Sequence, residues 1–146
     1  ERVRFICGDL LSPLHASRVR FDLLLSNPPY IAAEEWHALP TTVRRYEPRQ
    51  ALDGGSDGLL FYRRLFAEGA PYLADHGIVI VEVGHRQAGD VSRLLMQWQQ
   101  WELIEVIKDY GGIERVVVAR HRRGGSDSAW IASKSKVGSS FTATCA

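Results

Sequence analysis

A strand that has to stop at a double proline constrains this chain more than any other feature. The run Phe21-Asp22-Leu23-Leu24-Leu25-Ser26 leads directly into Asn27-Pro28-Pro29-Tyr30. Two consecutive prolines remove two backbone donors and fix φ at about −65°, so neither helix nor sheet continues through them. Asn27, as the residue before a proline, is pushed into an extended conformation. Its carboxamide and the nearby carbonyls are then held at the carboxyl end of a strand, where open α/β sheets bind ligands. Such a group can accept both hydrogens of a planar –NH₂ and leave one face of the nitrogen open. Methylation of an amino or amide nitrogen requires that arrangement. The tetrapeptide by itself is also compatible with a stiff connecting loop.

Composition narrows the class without deciding it. The chain has 146 residues, one domain's worth, with 45% hydrophobic and 24% charged residues, as in ordinary globular proteins. A formal net charge of +1 argues against a polyanion-binding surface, so direct nucleic-acid binding is not expected. No apolar stretch approaches the ~20 residues of a membrane span, and the first residues read as a strand rather than a secretory signal. Cys7 and Cys145 lack metal-ligand spacing, and Cys7 reads as a small core residue, which fits a reducing cytoplasm. No metal is expected. His37, His85 and His121 also show no ligand-like spacing, and Arg120-His121-Arg122-Arg123 reads as a solvated domain end.

The pattern along the chain is that of an α/β sheet. Val3 to Cys7 reads as a short strand ended by Gly8-Asp9. Phe21 to Ser26 reads as a parallel strand covered on both faces. Residues 32–55, broken by Pro40, Pro48 and Gly54-Gly55, read as a lid-like connection with one short helical piece. A helix is predicted over 57–74, capped by Ser56 or Asp57, with Leu59, Leu60, Tyr62, Leu65 and Phe66 at near-helical spacing. Ile78 to Val83 is β-branched and predicts a strand, although it contains Glu82, placed either near a site or at the strand's wet end. A helix over 87–99 follows, with Val91, Leu94, Leu95 and Trp98 on one face. Strands over 103–109 and 115–121 flank Gly111-Gly112 as a hairpin. Residues 124–146 change to a Gly- and Ser-rich, low-complexity composition and are expected to form a disordered tail on a domain of residues 1–123.

In this order the motifs resemble those of the class I, S-adenosylmethionine-dependent methyltransferases. They are most similar to the HemK/PrmC type, the protein-(glutamine-N5) methyltransferases that modify peptide chain release factors. The resemblance runs from about Val3 to about Arg123. It rests on Gly8-Asp9-Leu10-Leu11, Ser26-Asn27-Pro28-Pro29-Tyr30-Ile31, and Tyr46-Glu47-Pro48 with Ala51-Leu52. It continues through Asp57-Gly58-Leu59, Glu82-Val83-Gly84 and Asp109-Tyr110-Gly111-Gly112-Ile113-Glu114-Arg115-Val116. The implied fold is part of a Rossmann-like sheet, mostly parallel and ending in an antiparallel hairpin.

That fold has the sheet order 3-2-1-4-5-7-6, and this sequence enters it at what resembles the third strand. The implied Gly-rich turn after strand one and the acidic residue after strand two are not found. Gly54-Gly55-Ser56-Asp57-Gly58 follows a loop and is not read as that turn. The chain therefore resembles the carboxyl-terminal part of the catalytic domain. The residues 3–7 would lack a strand partner, Phe21 to Ser26 would form a bare apolar edge, and the chain alone would be marginal.

The resemblance also implies roles. The side-chain oxygen of Asn27 and the carbonyl of Pro28 would accept the two hydrogens of a glutamine amide, while Pro29 and Tyr30 complete the substrate site and Tyr30 stacks on the substrate side chain. Asp9 would accept from the adenine amino group of S-adenosyl-L-methionine; its alternative is a helix cap. Leu10 would lie on the adenine ring, where close family members can carry an aromatic residue, and Asn27 would touch the cofactor secondarily. Glu47 and Pro48 match the family without a derivable role. The expected activity is methyl transfer to the glutamine of a Gly-Gly-Gln segment in cytoplasmic release factors. The alternatives are methylation of adenine or guanine amino groups in nucleic acid, and a catalytically inactive fragment.

Overall fold

The computed structural model describes residues 3–15 and 19–122. Four strands form one sheet: β1 (Phe21–Ser26), β2 (Leu73–Glu82), β3 (Trp101–Lys108) and β4 (Glu114–His121). Their order is β1-β2-β4-β3. β1 pairs with β2 in parallel, and β4 is antiparallel to both its neighbours. Three strands thus run one way and β4 runs against them. This is the 4-5-7-6 end of the expected order. The helices are α1 (Thr41–Tyr46), α2 (Leu60–Glu68) and α3 (Ala88–Met96).

The core is built by residues at helical and strand periods meeting one another. α2 contributes Tyr62, Leu65 and Phe66, and α3 contributes Ala88, Val91 and Leu95, at the i, i+3, i+4 spacing of one buried face. The sheet answers with Val79, Val81, Val117 and Ala119, and Val83 follows directly after β2, all essentially inaccessible. Each large side chain so buried stabilises the fold by roughly 1.5–3 kcal/mol. The Trp101 ring sits edge-on to Phe66, and its Nε1–H donates to the Phe66 carbonyl at 2.9 Å. That bond ties the start of β3 to α2.

Several expectations are corrected. The helix expected over 57–74 is α2, and it stops at Glu68. Gly69 caps it and Pro71 lies in the following 3-10 turn, Ala70–Tyr72, because proline cannot continue an α-helix. Leu73 consequently opens β2, in which His76 takes φ of 64° and the pairing with β1 shifts register. Asp57 does not cap α2 at its N-cap position; its carboxylate accepts from Leu59 N–H at 3.1 Å one step earlier.

Residues 3–7 form no strand, and Phe5 is 97% exposed. With no adjacent strand to supply hydrogen bonds, the apolar pattern alone does not make a ladder. Cys7 is exposed rather than a core residue. β1 is covered on one face only: Leu24 packs on the core, while Leu23 and Leu25 are 48% and 65% exposed. The expected tail over 124–146 lies outside the described residues. Among the described residues no helix is long and apolar enough to cross a membrane.

Candidate active site

β1 ends where expected, and Asn27 follows it with an exposed side chain. Pro28 is buried, and Pro29 and Tyr30 are half-buried. The loop therefore turns its proline side into the protein and its asparagine out. The backbone after it is anchored on the segment before α2. Ile31 N–H donates to the Leu52 carbonyl at 2.9 Å, and Gly54 N–H donates to the Ile31 carbonyl at 2.8 Å.

Glu82, at the end of β2, stands beside this loop. The Tyr30 hydroxyl donates to Glu82 Oε1 at 3.4 Å, a long bond. The Tyr62 hydroxyl, from α2, donates to the Glu82 backbone carbonyl at 2.8 Å. Burial, and then the Glu82 charge, raise the Tyr30 phenol above its ordinary range, against an opposing pull from Arg115. Burial does the same to Tyr62 more strongly, with Tyr30 and Glu82 adding to it. Both phenols are hydrogen-bond donors at neutral pH. Glu82 thus stands at the end of β2 in contact with the double-proline loop.

A second contact joins the ends of β1 and β2. The Gln87 side chain donates from Nε2 to the Tyr30 carbonyl at 2.9 Å and accepts at Oε1 from Gly84 N–H at 3.0 Å. From the sequence Gln87 is only a helix start. The backbone of Tyr30 lies against the segment Gly54-Gly55-Ser56-Asp57-Gly58, a packing role that its sequence does not announce. A Cβ at Gly54 would come within 2.8 Å of Tyr30 backbone atoms. A glycine is needed where two backbones approach so closely.

Asp9 is placed elsewhere. Its carboxylate receives two bonds from Arg64, at 3.0 and 2.7 Å, and Arg64 also pairs with Glu68. Arg64 lies two residues from Tyr62 on α2, so the two point about 200° apart around the helix. The cap alternative for Asp9 is not realised. The nearby 3-10 turn, Ser12–Leu14, has no side-chain cap, and Asp9 contributes its backbone carbonyl to Ser12 N–H at 3.0 Å. Leu10 has φ of 49° and is half-buried. Tyr30 is thus joined to Glu82 and Gln87, and Asp9 to Arg64. Glu47 and Pro48 are exposed. No group of His, Cys, Asp or Glu among the described residues could hold a metal ion.

No protein-family model matches the chain. Individual relatives do. The release factor glutamine methyltransferase of Bacillus cereus is 45% identical over 117 residues, covering 80% of this chain and 41% of that protein. The protein of the same name from Fusobacterium nucleatum is 40% identical over 120 residues, covering 82% of this chain and 33% of its own length. The chain thus spans well under half the length of these curated relatives. Among solved structures, a protein-(glutamine-N5) methyltransferase, release factor-specific, from Alicyclobacillus acidocaldarius superposes with a TM-score of 0.50 at 30% identity. That match covers 77% of this chain and 55% of the other. On these matches, which span about four-fifths of its length, the chain belongs to the release factor glutamine methyltransferase family.

Proposed function

We propose that the protein of which these residues form part transfers a methyl group from S-adenosyl-L-methionine to the side-chain amide nitrogen of a glutamine in a peptide chain release factor. The observation that carries this reading is Asn27. Its carboxamide is exposed at the carboxyl end of β1, on a loop stiffened by two prolines and anchored through Tyr30 and Ile31. An amide nitrogen is a weak nucleophile because its lone pair is delocalised. Asn27 Oδ1 and the Pro28 carbonyl accept its two hydrogens, fix the –NH₂ plane and favour a less planar nitrogen whose lone pair faces the methyl donor. Positioning of this kind can supply ~7–11 kcal/mol of a barrier in favourable cases. Tyr30 packs against the substrate side chain with its hydroxyl turned to Glu82.

The residues present fit the cofactor in part. A carboxylate has about four acceptor sites, and Arg64 uses two of those on Asp9, so capacity remains for the adenine amino group beside Leu10. When bound, the cofactor supplies an electrophilic methyl on a sulfonium and leaves as a neutral sulfide. Among the described residues no strand leads into a Gly-rich turn suited to its methionine part, which the rest of the protein supplies in this reading.

The test uses the full-length protein with a release factor as substrate. Asn27→Ala lowers kcat by about two orders of magnitude or more while changing cofactor affinity within a few-fold. Asp9→Ala shows the reverse, chiefly weakening the cofactor. Methyl incorporation disappears when the acceptor glutamine of the factor is replaced. Continued labelling of that factor, or robust transfer to nucleic acid instead, would overturn the substrate assignment.

A further inference from the structure

The two prolines fix φ within the loop, but they do not fix the loop's position relative to β2. The ladder between β1 and β2 ends at the pair Ser26↔Val81, and beyond it the two chains part. The gap between Tyr30 and Gly84 is filled by the Gln87 carboxamide. Its orientation is forced by its partners: a backbone N–H can only donate and a carbonyl can only accept, so Oε1 must face Gly84 and Nε2 must face Tyr30. A side-chain amide here does the work of a peptide group and adds one rung past the end of the ladder.

Two glycines leave room for that rung. A Cβ at Gly58 would lie 2.5 Å from both the Tyr30 carbonyl oxygen and Gln87 Nε2. One at Gly84 would lie 2.5 Å from Gln87 Oε1 and 2.9 Å from Tyr30 Cδ2. Gly58 also has φ of +74°. The rung is mounted rigidly, because the backbone N–H of Gln87 bonds back to the Gly84 carbonyl at 3.1 Å and its carbonyl accepts from Val91 N–H at 2.9 Å. The neighbouring Tyr30–Glu82 contact, at 3.4 Å, is too long to hold the loop alone.

We propose that Gln87 is a positioning residue for the reaction: its carboxamide sets the Asn27–Tyr30 loop against β2 and so places the Asn27 and Pro28 acceptors. The proposal rests on the function proposed above. Gln87 itself need not touch the substrate.

Two measurements test it. In the full-length protein, Gln87→Glu keeps the shape but loses the donor at neutral pH, leaving a carboxylate facing the Tyr30 carbonyl. kcat falls about tenfold or more with the cofactor KM within about twofold, as expected for a misplaced acceptor pair. The deficit narrows as pH falls and the acid form regains a donor. A wild-type kcat at every pH, or equal losses in both KM values with kcat kept, would overturn the proposal. The second measurement needs no activity: amide hydrogen exchange by ¹⁵N NMR on this chain. The Gly84 amide is protected in the parent and loses that protection in Gln87→Ala and in Gly58→Ala. Unchanged Gly84 exchange in both variants would overturn the proposal. If the wild-type protein methylates no glutamine, the function reading fails, and the exchange data alone decide whether Gln87 holds the loop.

Discussion

Tyr62 is fully buried yet carries a polar atom, and its bond to the Glu82 carbonyl is what makes that burial tolerable. Tyr62→Phe leaves the carbonyl without this partner and should destabilise the fold by about 1–3 kcal/mol, measured by urea unfolding. The same tyrosine gives a pH dependence. Its phenol is raised in the folded state, so the folded form binds more protons above the ordinary tyrosine range. Its stabilisation is complete below about pH 10 and is lost as pH rises beyond that. The loss of stability between pH 9 and pH 11 should therefore be smaller in Tyr62→Phe; an equal loss would show that Tyr62 contributes nothing to it. Residues of this scale divide by how local their signal is. Asn27 was legible because two prolines follow it directly. Gln87 was not, because a glutamine at a helix start looks ordinary until a carbonyl 57 residues away is placed beside it. The Asp9–Arg64 pair spans 55 residues and was hidden for the same reason.

At the scale of elements, turn chemistry accounts for most of the differences from expectation. The segment before α2 is held by Asp57, which accepts from Leu59 N–H and pairs with Arg63. The Arg63 bond, with Leu59 assisting, lowers its carboxyl to about 2. A depressed acid contributes stability above its ordinary value, near 3.8, and loses it as pH falls toward 2. Both partners are largely exposed, so the contribution is about 0.5 kcal/mol or less after screening. Asp57→Asn should lower stability slightly at pH 6 and not at all at pH 2; a difference of the same size at both would assign the effect to packing. In the β3–β4 hairpin, Asp109 Oδ1 accepts from Gly111 and Ile113 N–H, Oδ2 accepts from Arg115, and Gly112 takes φ of +79°. Asp-x-Gly-Gly announces that turn in the sequence. The early end of α2 was announced too, by Gly69 and Pro71.

For the whole molecule, the sheet order was legible only through the family resemblance that the motifs carry, and β1-β2-β4-β3 agrees with the order it implies. What periodicity could not give is which faces are covered. An unbroken apolar strand implies two covered faces only if enough chain is present to cover them. Here Leu23 and Leu25 stand open beside their register partners Ile78 and Ile80, and among the described residues β1 is an edge strand. An exposed apolar edge of this kind promotes association. Leu25→Lys in the 146-residue chain should reduce self-association in sedimentation velocity while changing unfolding stability by no more than about 0.5 kcal/mol. A large loss of stability would mean that the face is covered in solution.

The parallel pairing of β1 with β2 has a consequence in time. Everything from Asn27 to Tyr72 must be looped out before the first rung between these strands can form, and that closure entropy is lost before any contact repays it. The rung made by Gln87 lies beyond the last backbone pair and is reached only after the ladder has closed. The loop bearing Asn27 should therefore be among the last parts of the chain to acquire its shape.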